Sequence, residues 1–182
     1  MGLTVGDDFP RGVQFKHVPI DWADLSVLNP LQCDRPQVLE LDGVVTTGKT
    51  VVVGVPGAFT PTCTETHIPG YLSKLAQLKH AGVDSLVVYT GNDAFVVSAW
   101  GKLLLASAHL DAGDANAAYP KVYFASDGDA KYSESIGLLK GPGRPVRHAA
   151  IIDAGKVAWF AHETESGVHV SGVDSVLAAL AQ

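Results

Sequence analysis

The chain has 182 residues, a length typical of one domain with a single hydrophobic core. Its 13 basic and 19 acidic residues give a net charge of −6, which argues against a nucleic-acid partner and against binding to an anionic membrane surface. No apolar stretch approaches the ~18 residues of a membrane span, and the first residues lack the basic and apolar regions of a signal peptide, so we expect a soluble, cytoplasmic protein.

The cysteine and histidine content limits the kinds of site that the chain can form. Two cysteines are too few for a disulfide scaffold or for a structural zinc site made of thiolates. The seven histidines show no H-x-x-x-H or H-E-x-x-H spacing. We therefore expect neither a metal nor another cofactor, and the two cysteines remain open to a catalytic or redox role.

The N-terminal part of the chain predicts one strand followed by irregular structure. Apolar and polar residues alternate over residues 13–17, as in a half-buried strand, and residues 22–30 are predicted to form a loop. Cys33 follows in the segment CDRPQVLE, where Pro36 excludes a regular helix. Cys33 is therefore expected on an exposed or half-exposed segment, where a cysteine is often incidental.

Residues 43–50, GVVTTGKT, satisfy the phosphate-binding P-loop pattern G-x-x-x-x-G-K-[ST]. A P-loop leads from a strand into a helix whose N-terminus holds the phosphates, whereas this segment leads directly into a β-branched run. We interpret it as a surface turn, with a solvated Lys49, that carries the chain into the next strand, and not as a nucleotide site.

The stretch 51–71, VVVGVPGAFTPTCTETHIPGY, joins a predicted strand to a predicted helix that begins at a cysteine. The valine-rich residues 51–55 do not alternate, which is typical of a strand covered on both faces. Thr62 and Glu65 match the S/T-x-x-E capping box, which predicts Thr62 as the N-cap and Cys63 as the first helical residue. A sulfur there lies at the positive end of the helix dipole, which favours the nucleophilic thiolate.

The residues around Cys63 matter because a single cysteine is often only a small, buried apolar residue. Thr60 supplies a hydroxyl three residues before it, and Pro56 and Pro61 restrict the backbone of the turn between strand and helix. His67 lies one helical turn beyond Cys63, where a role as general base is open, although we prefer a positioning role. The pattern P-x-x-x-T-x-x-C therefore predicts a reactive thiol.

The remainder of the chain predicts alternating helices and strands. The helix that starts at Thr62 ends at Gly82 and contains Pro69, which predicts a kink there. The β-α-β-α alternation implies a parallel sheet covered on both faces, and Ala154-Gly155 has the spacing of a tight hairpin. The further predicted elements are strands 85–90, 121–126, 147–153 and 156–162, helices 95–105, 130–136 and 173–180, and an inserted surface loop at 109–119.

The segment PGAFTPTCTETHIPGY resembles the active-site segment of the peroxiredoxins, which are thiol peroxidases, and in particular of their type II branch. GNDAFVVSAWGK, FASDGDAKYSESIG and RHAAIIDAGKV are similar to further segments of that branch, so the resemblance covers nearly the whole chain. It implies an α/β thioredoxin fold with an N-terminal extension and a central mixed sheet flanked by helices. The order of the predicted elements agrees with that fold.

The resemblance also implies roles for individual residues. Arg147 matches the arginine that this family places beside the reactive thiolate, and a guanidinium favours a nearby thiolate and offers a planar fork of donors to a peroxide. Arg144 competes for this role, but it lies in the Gly- and Pro-rich approach GPGRP. Cys63 is then the attacking residue, with Thr60, Pro56 and the arginine around it.

The segment CDRPQVLE is similar to the C-x-x-P-Q-x-x-E segment of fungal cytosolic members, whose N-terminal cysteine resolves the sulfenic acid of the partner subunit. This similarity implies a homodimer in which Cys33 forms a disulfide with Cys63 of the other chain, and recycling by thioredoxin. An insertion at residues 110–119, where relatives are usually shorter, concerns surface contacts and not the chemistry.

We therefore hypothesise a peroxidase cycle that consumes hydrogen peroxide and alkyl hydroperoxides. The Cys63 thiolate becomes a sulfenic acid, condenses with Cys33, and the disulfide is reduced by an external dithiol. Two alternatives remain open. In a one-cysteine enzyme, glutathione or glutaredoxin reduces the sulfenic acid and Cys33 is idle. A redox sensor or relay instead passes its disulfide to a client protein and turns over peroxide only incidentally.

Overall fold

A computed structural model of the chain describes residues 2–21, 28–110 and 115–182. Its strands are β1 (Gln14–His17), β2 (Gln37–Glu40), β3 (Lys49–Gly54), β4 (Ser85–Thr90), β5 (Lys121–Ser126), β6 (Leu139–Gly141), β7 (Arg144–Pro145), β8 (His148–Asp153) and β9 (Lys156–His162). Its α-helices are α1 (Leu41–Val45), α2 (Ile68–Ser73), α3 (Leu75–His80), α4 (Ala94–Ser107), α5 (Ala115–Ala118), α6 (Lys131–Ser135) and α7 (Val173–Leu180). A π-helix at Thr62–His67 precedes α2, and a 3-10 turn at Gly128–Ala130 precedes α6.

The described strands form a seven-stranded mixed sheet in the order β2-β1-β5-β4-β3-β8-β9. Strands β3, β4 and β5 run parallel in its centre. The antiparallel pair β8 and β9 extends one edge, and the antiparallel pair β1 and β2 from the N-terminal extension forms the other. Strands β6 and β7 make a separate two-stranded ribbon. The predicted central mixed sheet with an N-terminal extension is confirmed.

Both faces of the sheet are covered, which explains the unbroken valine run of β3. Val51 and Val53 belong to a core formed with residues of α2, α3, α4 and α7, whereas Val52 faces the opposite core, which includes residues of α1 and α6. Gly101 lets α4 lie close to the sheet, because a Cβ at that position would stand 2.5 Å from the ring of Phe124. The three-layer arrangement leaves the carboxyl ends of the parallel strands free to carry a site.

The hairpin between β8 and β9 turns at Ala154 and Gly155, as predicted. Both residues have positive φ, 47° and 84°, the combination that a two-residue hairpin turn of type I′ requires. The closing helix α7 also has its predicted bounds. Helix α4 begins after Asp93, whose carboxylate accepts hydrogen bonds from the backbone N–H groups of Phe95 (2.9 Å) and Val96 (3.0 Å).

Two predictions about the helix that carries Cys63 are wrong. Thr62 makes no side-chain capping hydrogen bond, and the preceding Pro61 already has helical angles (φ −53°, ψ −62°), so the capping box is not used. At the expected kink near Pro69 the helix changes from the π-helix (Thr62–His67) to α2, whose first turn contains Pro69. The single helix expected from Thr62 to Gly82 is divided at Lys74 (φ −118°, ψ 19°), between α2 and α3.

Short elements account for most of what the sequence patterns missed. Strands β2, β6 and β7 were not predicted, and α5 lies within the expected loop at residues 109–119. Residues 22–27 of the other expected loop, and residues 111–114 of the insertion, lie outside the described residues. The surface turn predicted at residues 43–50 is limited to residues 46–48, because residues 43–45 end α1 and residues 49–50 begin β3. Lys49 is half-buried and pairs with Asp153 at 3.7 Å rather than being fully solvated. None of the described helices has the length and apolarity needed to cross a membrane.

Candidate active site

The loop after β3 is held by hydrogen bonds at the carboxyl end of the parallel strands. The Ala58 N–H donates to Asn92 Oδ1 (2.9 Å), and Thr60 Oγ1 donates to the Gly57 carbonyl (2.7 Å). Between them, Phe59 has a φ of 58°, a left-handed conformation that costs a bulky residue of order 1–3 kcal/mol. The surrounding hydrogen bonds therefore hold the loop in a strained conformation directly before the helix.

Cys63 lies in the first turn of the helical segment and its side chain has no exposed surface. The Ile68 N–H donates to the Cys63 carbonyl, a bond that spans five residues and marks the π-helix. Backbone N–H groups at a helix start have no intrahelical partner and, with the helix dipole, stabilise a negative charge nearby. The predicted position of Cys63 in the first turn is therefore retained, although its cap is different.

Arg147 brings a permanent positive charge to the sulfur of Cys63. Its Nη2 donates to Sγ across 3.4 Å from the segment directly before β8, and the arginine is only 8% exposed. Arg144, the competing candidate, lies on β7 and is exposed. The low dielectric around a buried pair strengthens the attraction between a guanidinium and a thiolate.

His67 is also buried, and both of its ring nitrogens are occupied. An arginine cannot accept a hydrogen bond, so Arg147 Nη1 donates to His67 Nδ1 (2.9 Å), and the proton of the neutral ring sits on Nε2, which donates to the Ser171 carbonyl (2.9 Å). Burial lowers the pKa of His67 to about 4, and the charge of Arg147 lowers it too. The geometry favours the positioning role over that of a general base.

A pocket of about 520 Å³ opens beside this cluster. Thr60 and Pro56, two of the predicted site residues, line it together with Arg147, which also touches the sulfur. The other lining residues are Pro61, Thr62, Lys140, Val146, Glu163, Thr164, Glu165, Ser166 and Gly167. Cys63 is itself covered, so the pocket is bounded by the threonine and the arginine rather than by the sulfur. Within the described residues, no group of three or more histidine, cysteine, aspartate or glutamate side chains is placed to hold a metal ion.

Cys33 lies apart from this cluster in an exposed loop before β2, as predicted. Its Sγ lies 3.7 Å from the Leu31 carbonyl. The neighbouring Gln32 carbonyl accepts a hydrogen bond of 2.7 Å from Lys102, a buried lysine of α4. The structure therefore places one free cysteine in a buried helix and the other in an exposed loop tied to α4.

Comparisons with known proteins agree with this arrangement. A family model described as Redoxin matches residues 4–177. Peroxiredoxin AHP1 of Chaetomium thermophilum is 41% identical over 180 residues, covering 98% of this chain and 95% of that protein. Peroxiredoxin Pen c 3 of Penicillium citrinum is 38% identical over 182 residues, covering 99% and 100%. This chain belongs to the peroxiredoxins of the redoxin family.

A solved structure, reduced Prx3 of Vibrio vulnificus in complex with H₂O₂, matches this peroxiredoxin with a TM-score of 0.75 and 30% identity, over 98% of this chain and 99% of that one. The family resemblance noted in the active-site segment and the α/β thioredoxin fold are thereby confirmed. The peroxiredoxin is a thiol peroxidase, an enzyme whose substrate is a hydroperoxide and whose reductant is a thiol.

Three residues at the site of this peroxiredoxin were not predicted from the sequence. Ser171 holds His67 from a loop about a hundred residues away in the chain, and Glu163 accepts a hydrogen bond from the Ser171 hydroxyl. Tyr71 Oη donates to the same Ser171 carbonyl (2.7 Å). No motif or periodicity links these positions. The GY of HIPGY carried the only local signal, because a tyrosine one turn after a histidine shares its helix face.

The two buried histidines of the peroxiredoxin predict a loss of stability in mild acid. Burial lowers the pKa of His67 and of His148 to about 4 each. Unfolded histidines bind a proton near pH 6.5, so between pH 6.5 and 4 the unfolded state binds more protons and is favoured as the pH falls. We expect each histidine to remove about 2 kcal/mol of the free energy of unfolding between pH 7.5 and 5.

Urea unfolding at pH 7.5, 6 and 5 measures this loss above the range in which carboxylates titrate. The exposed His80 provides the control, because His80→Gln should leave the pH dependence as it is in the wild type. A free energy of unfolding that stays constant over this range would contradict the assignment of His67 and His148 as buried, neutral imidazoles.

Proposed function

We propose that this peroxiredoxin reduces hydrogen peroxide and alkyl hydroperoxides with Cys63 as the attacking thiolate, that Cys33 resolves the resulting sulfenic acid, and that thioredoxin recycles the disulfide. The contact of 3.4 Å between Arg147 Nη2 and Cys63 Sγ carries the proposal. It pairs a permanent cation with a sulfur at a helix start, the environment in which reactive cysteines are found.

The first role of this environment is electrostatic. The nucleophile is the thiolate and not the thiol, so positive charge beside the sulfur favours the reactive form. The helix start and Arg147 both stabilise the anionic sulfur, and they also act on the negative charge that moves to the peroxide oxygens during the reaction.

The second role is to align the peroxide. Thr60 Oγ1 uses its proton on the Gly57 carbonyl, so the oxygen lone pairs face a donor such as the peroxide hydroxyl. Pro56 offers no N–H and contributes an apolar wall. The thiolate attacks the nearer oxygen, the O–O bond breaks as the S–O bond forms, and the leaving oxygen takes a proton as water or alcohol. Alignment of this kind is worth several orders of magnitude in rate.

Resolution requires the two cysteines to leave their observed positions. Cys63 is fully buried and Cys33 is exposed, so the first helical turn has to open before the sulfenic acid can condense with the Cys33 thiol and release water. Cys33 lies in the loop before β2, which Lys102 ties to α4 through the Gln32 carbonyl. The intermolecular pairing rests on the similarity of CDRPQVLE to the fungal segment, and a symmetric dimer would present each Cys33 to the other subunit's site.

We expect protein treated with one equivalent of peroxide to form a covalent dimer on a non-reducing gel. Neither Cys33→Ser nor Cys63→Ser should form it, because each variant lacks one sulfur of the bond. A mixture of the two variants should recover one cross-link per dimer. A disulfide-linked monomer would place the bond within one chain and contradict this pairing.

The same variants separate the proposed cycle from its alternatives. Steady-state peroxide consumption with thioredoxin and its reductase should need both cysteines. Full turnover of Cys33→Ser with glutaredoxin and glutathione, but not with thioredoxin, would indicate the one-cysteine enzyme. Transfer of the disulfide to another protein without steady-state turnover would indicate a relay. The cytoplasmic location and the single-domain organisation stay predictions.

A further inference from the structure

The loop between β9 and α7 is folded around one carboxylate oxygen. Glu163 Oε1 accepts hydrogen bonds from the backbone N–H groups of His169 (2.8 Å), Val170 (2.9 Å) and Ser171 (2.9 Å). The hydroxyl of Ser171 donates to the same oxygen at 2.8 Å. Four donors on one acceptor fix the path of the chain just before α7.

One carbonyl of this loop, that of Ser171, accepts hydrogen bonds from side chains of the active site. The Ser171 carbonyl accepts from Tyr71 Oη (2.7 Å) and from His67 Nε2 (2.9 Å). His67 in turn accepts from Arg147 Nη1, and the second guanidinium nitrogen reaches the sulfur. Glu163 and Arg147 are also joined through the backbone, because the Glu163 N–H donates to the Arg147 carbonyl (2.8 Å). Each of these side chains is at most 8% exposed.

Apart from the Cys63 sulfur itself, the imidazole is the side-chain acceptor that holds the arginine, since among the described residues no carboxylate lies within ion-pair distance of it. Its orientation therefore depends on the imidazole. The imidazole accepts from arginine only while Nε2 holds the ring proton, and the Ser171 carbonyl is what keeps that proton on Nε2.

We propose that Glu163 is a positioning residue for peroxide reduction. Through Ser171 and His67, its carboxylate sets the orientation of the guanidinium at the Cys63 sulfur. The proposal rests on the proposed function, in which that sulfur attacks the peroxide. No hydrogen bond joins the Glu163 carboxylate to Cys63 or to the guanidinium of Arg147, and its four hydrogen bonds all go to the loop that it folds.

The charge of Glu163 matters as well as its shape. Burial raises the pKa of this carboxyl, but the hydrogen bonds from Ser171, Val170 and His169 lower it further, to about 2, so the group is ionised at neutral pH. Hydrogen bonds to a charged acceptor are roughly twice as strong as those to a neutral one. A glutamine at this position keeps the shape and one oxygen but weakens all four contacts.

The test is the rate constant for oxidation of Cys63 by hydrogen peroxide, measured by stopped flow. Glu163→Gln should slow this step about tenfold, and slow alkylation of Cys63 at neutral pH, because the guanidinium is less firmly held. Ser171→Ala keeps the carbonyl and loses one of the four contacts, so it should slow the step less. Glu134→Gln, which removes an exposed charge from α6, should react at the wild-type rate.

A double-mutant cycle separates positioning from a general loss of stability. In an Arg147→Gln background the guanidinium is gone, so Glu163→Gln should slow oxidation no further. Equal slowing in both backgrounds would overturn the proposal, as would a wild-type rate for Glu163→Gln in a protein whose Arg147→Gln variant is slow. In the second case the proposed function of Cys63 and Arg147 would stand. If Glu163→Gln does not fold, Ser171→Ala replaces it in the cycle. It should slow oxidation in the wild-type background and not in the Arg147→Gln background, and equal slowing in both would overturn the proposal.

Discussion

Cys63→Ser is expected to abolish peroxide turnover. A serine hydroxyl is not ionised at neutral pH and is a far weaker nucleophile than a thiolate, and removing the nucleophile of an enzyme lowers its rate on the order of 10⁴-fold or more. The fold should survive, because serine is nearly isosteric and its buried hydroxyl can accept the hydrogen bond that Arg147 now gives to sulfur.

Cys33→Ser is the matched control for this experiment. It removes the other cysteine from an exposed loop, so the first oxidation by peroxide should proceed at the wild-type rate while recycling by thioredoxin fails. The single-turnover rate and the steady-state rate together distinguish the two variants. Appreciable turnover in Cys63→Ser would show that another residue attacks the peroxide.

Arg147→Gln is expected to slow the oxidation of Cys63 by on the order of 10²-fold, the effect of removing one preorganised donor from a developing charge. The substitution removes a cation at 3.4 Å from the sulfur and leaves the Nδ1 of His67 without its charged donor. Alkylation of Cys63 at neutral pH should also slow, because the sulfur loses the cation beside it.

Arg144→Gln controls for the loss of a positive charge near the site. Arg144 is exposed on β7, three residues before Arg147, so its removal should change neither the oxidation rate nor the alkylation rate by more than about twofold. Equal effects of the two substitutions would mean that only the overall charge matters, and would contradict a specific contact with the sulfur.

Local patterns were enough to predict the central part of this site. The valine run, the turn with two prolines and the cysteine at a helix start are all contained within residues 51–63, and short-range rules of propensity and helix geometry apply there. The assignment of Arg147 needed the family resemblance, because the sequence alone left Arg144 open. The structure places Arg147 Nη2 at the sulfur and Arg144 at the surface.

The sequence-based predictions that were wrong or missing also have physical causes. The capping box at Thr62 failed because Pro61, fixed near φ −65° by its ring, suits the helix and extends it by a residue. The single helix expected from Thr62 to Gly82 is divided at Lys74, whose backbone leaves helical angles (φ −118°, ψ 19°) without a glycine or proline to signal it. The links from Ser171 to His67 and from Arg147 to Cys63 span 104 and 84 residues, so no local pattern contains them.

We expect the thiolate of Cys63 to take the oxygen from the peroxide. Mass spectrometry of Cys33→Ser treated with one equivalent of hydrogen peroxide and a sulfenic-acid-selective reagent measures this directly. We expect one adduct, on the peptide that contains Cys63, in proportion to the peroxide consumed. Peroxide consumption with an unmodified Cys63, or with the oxygen found on another residue, would contradict the assignment of Cys63 as the attacking residue.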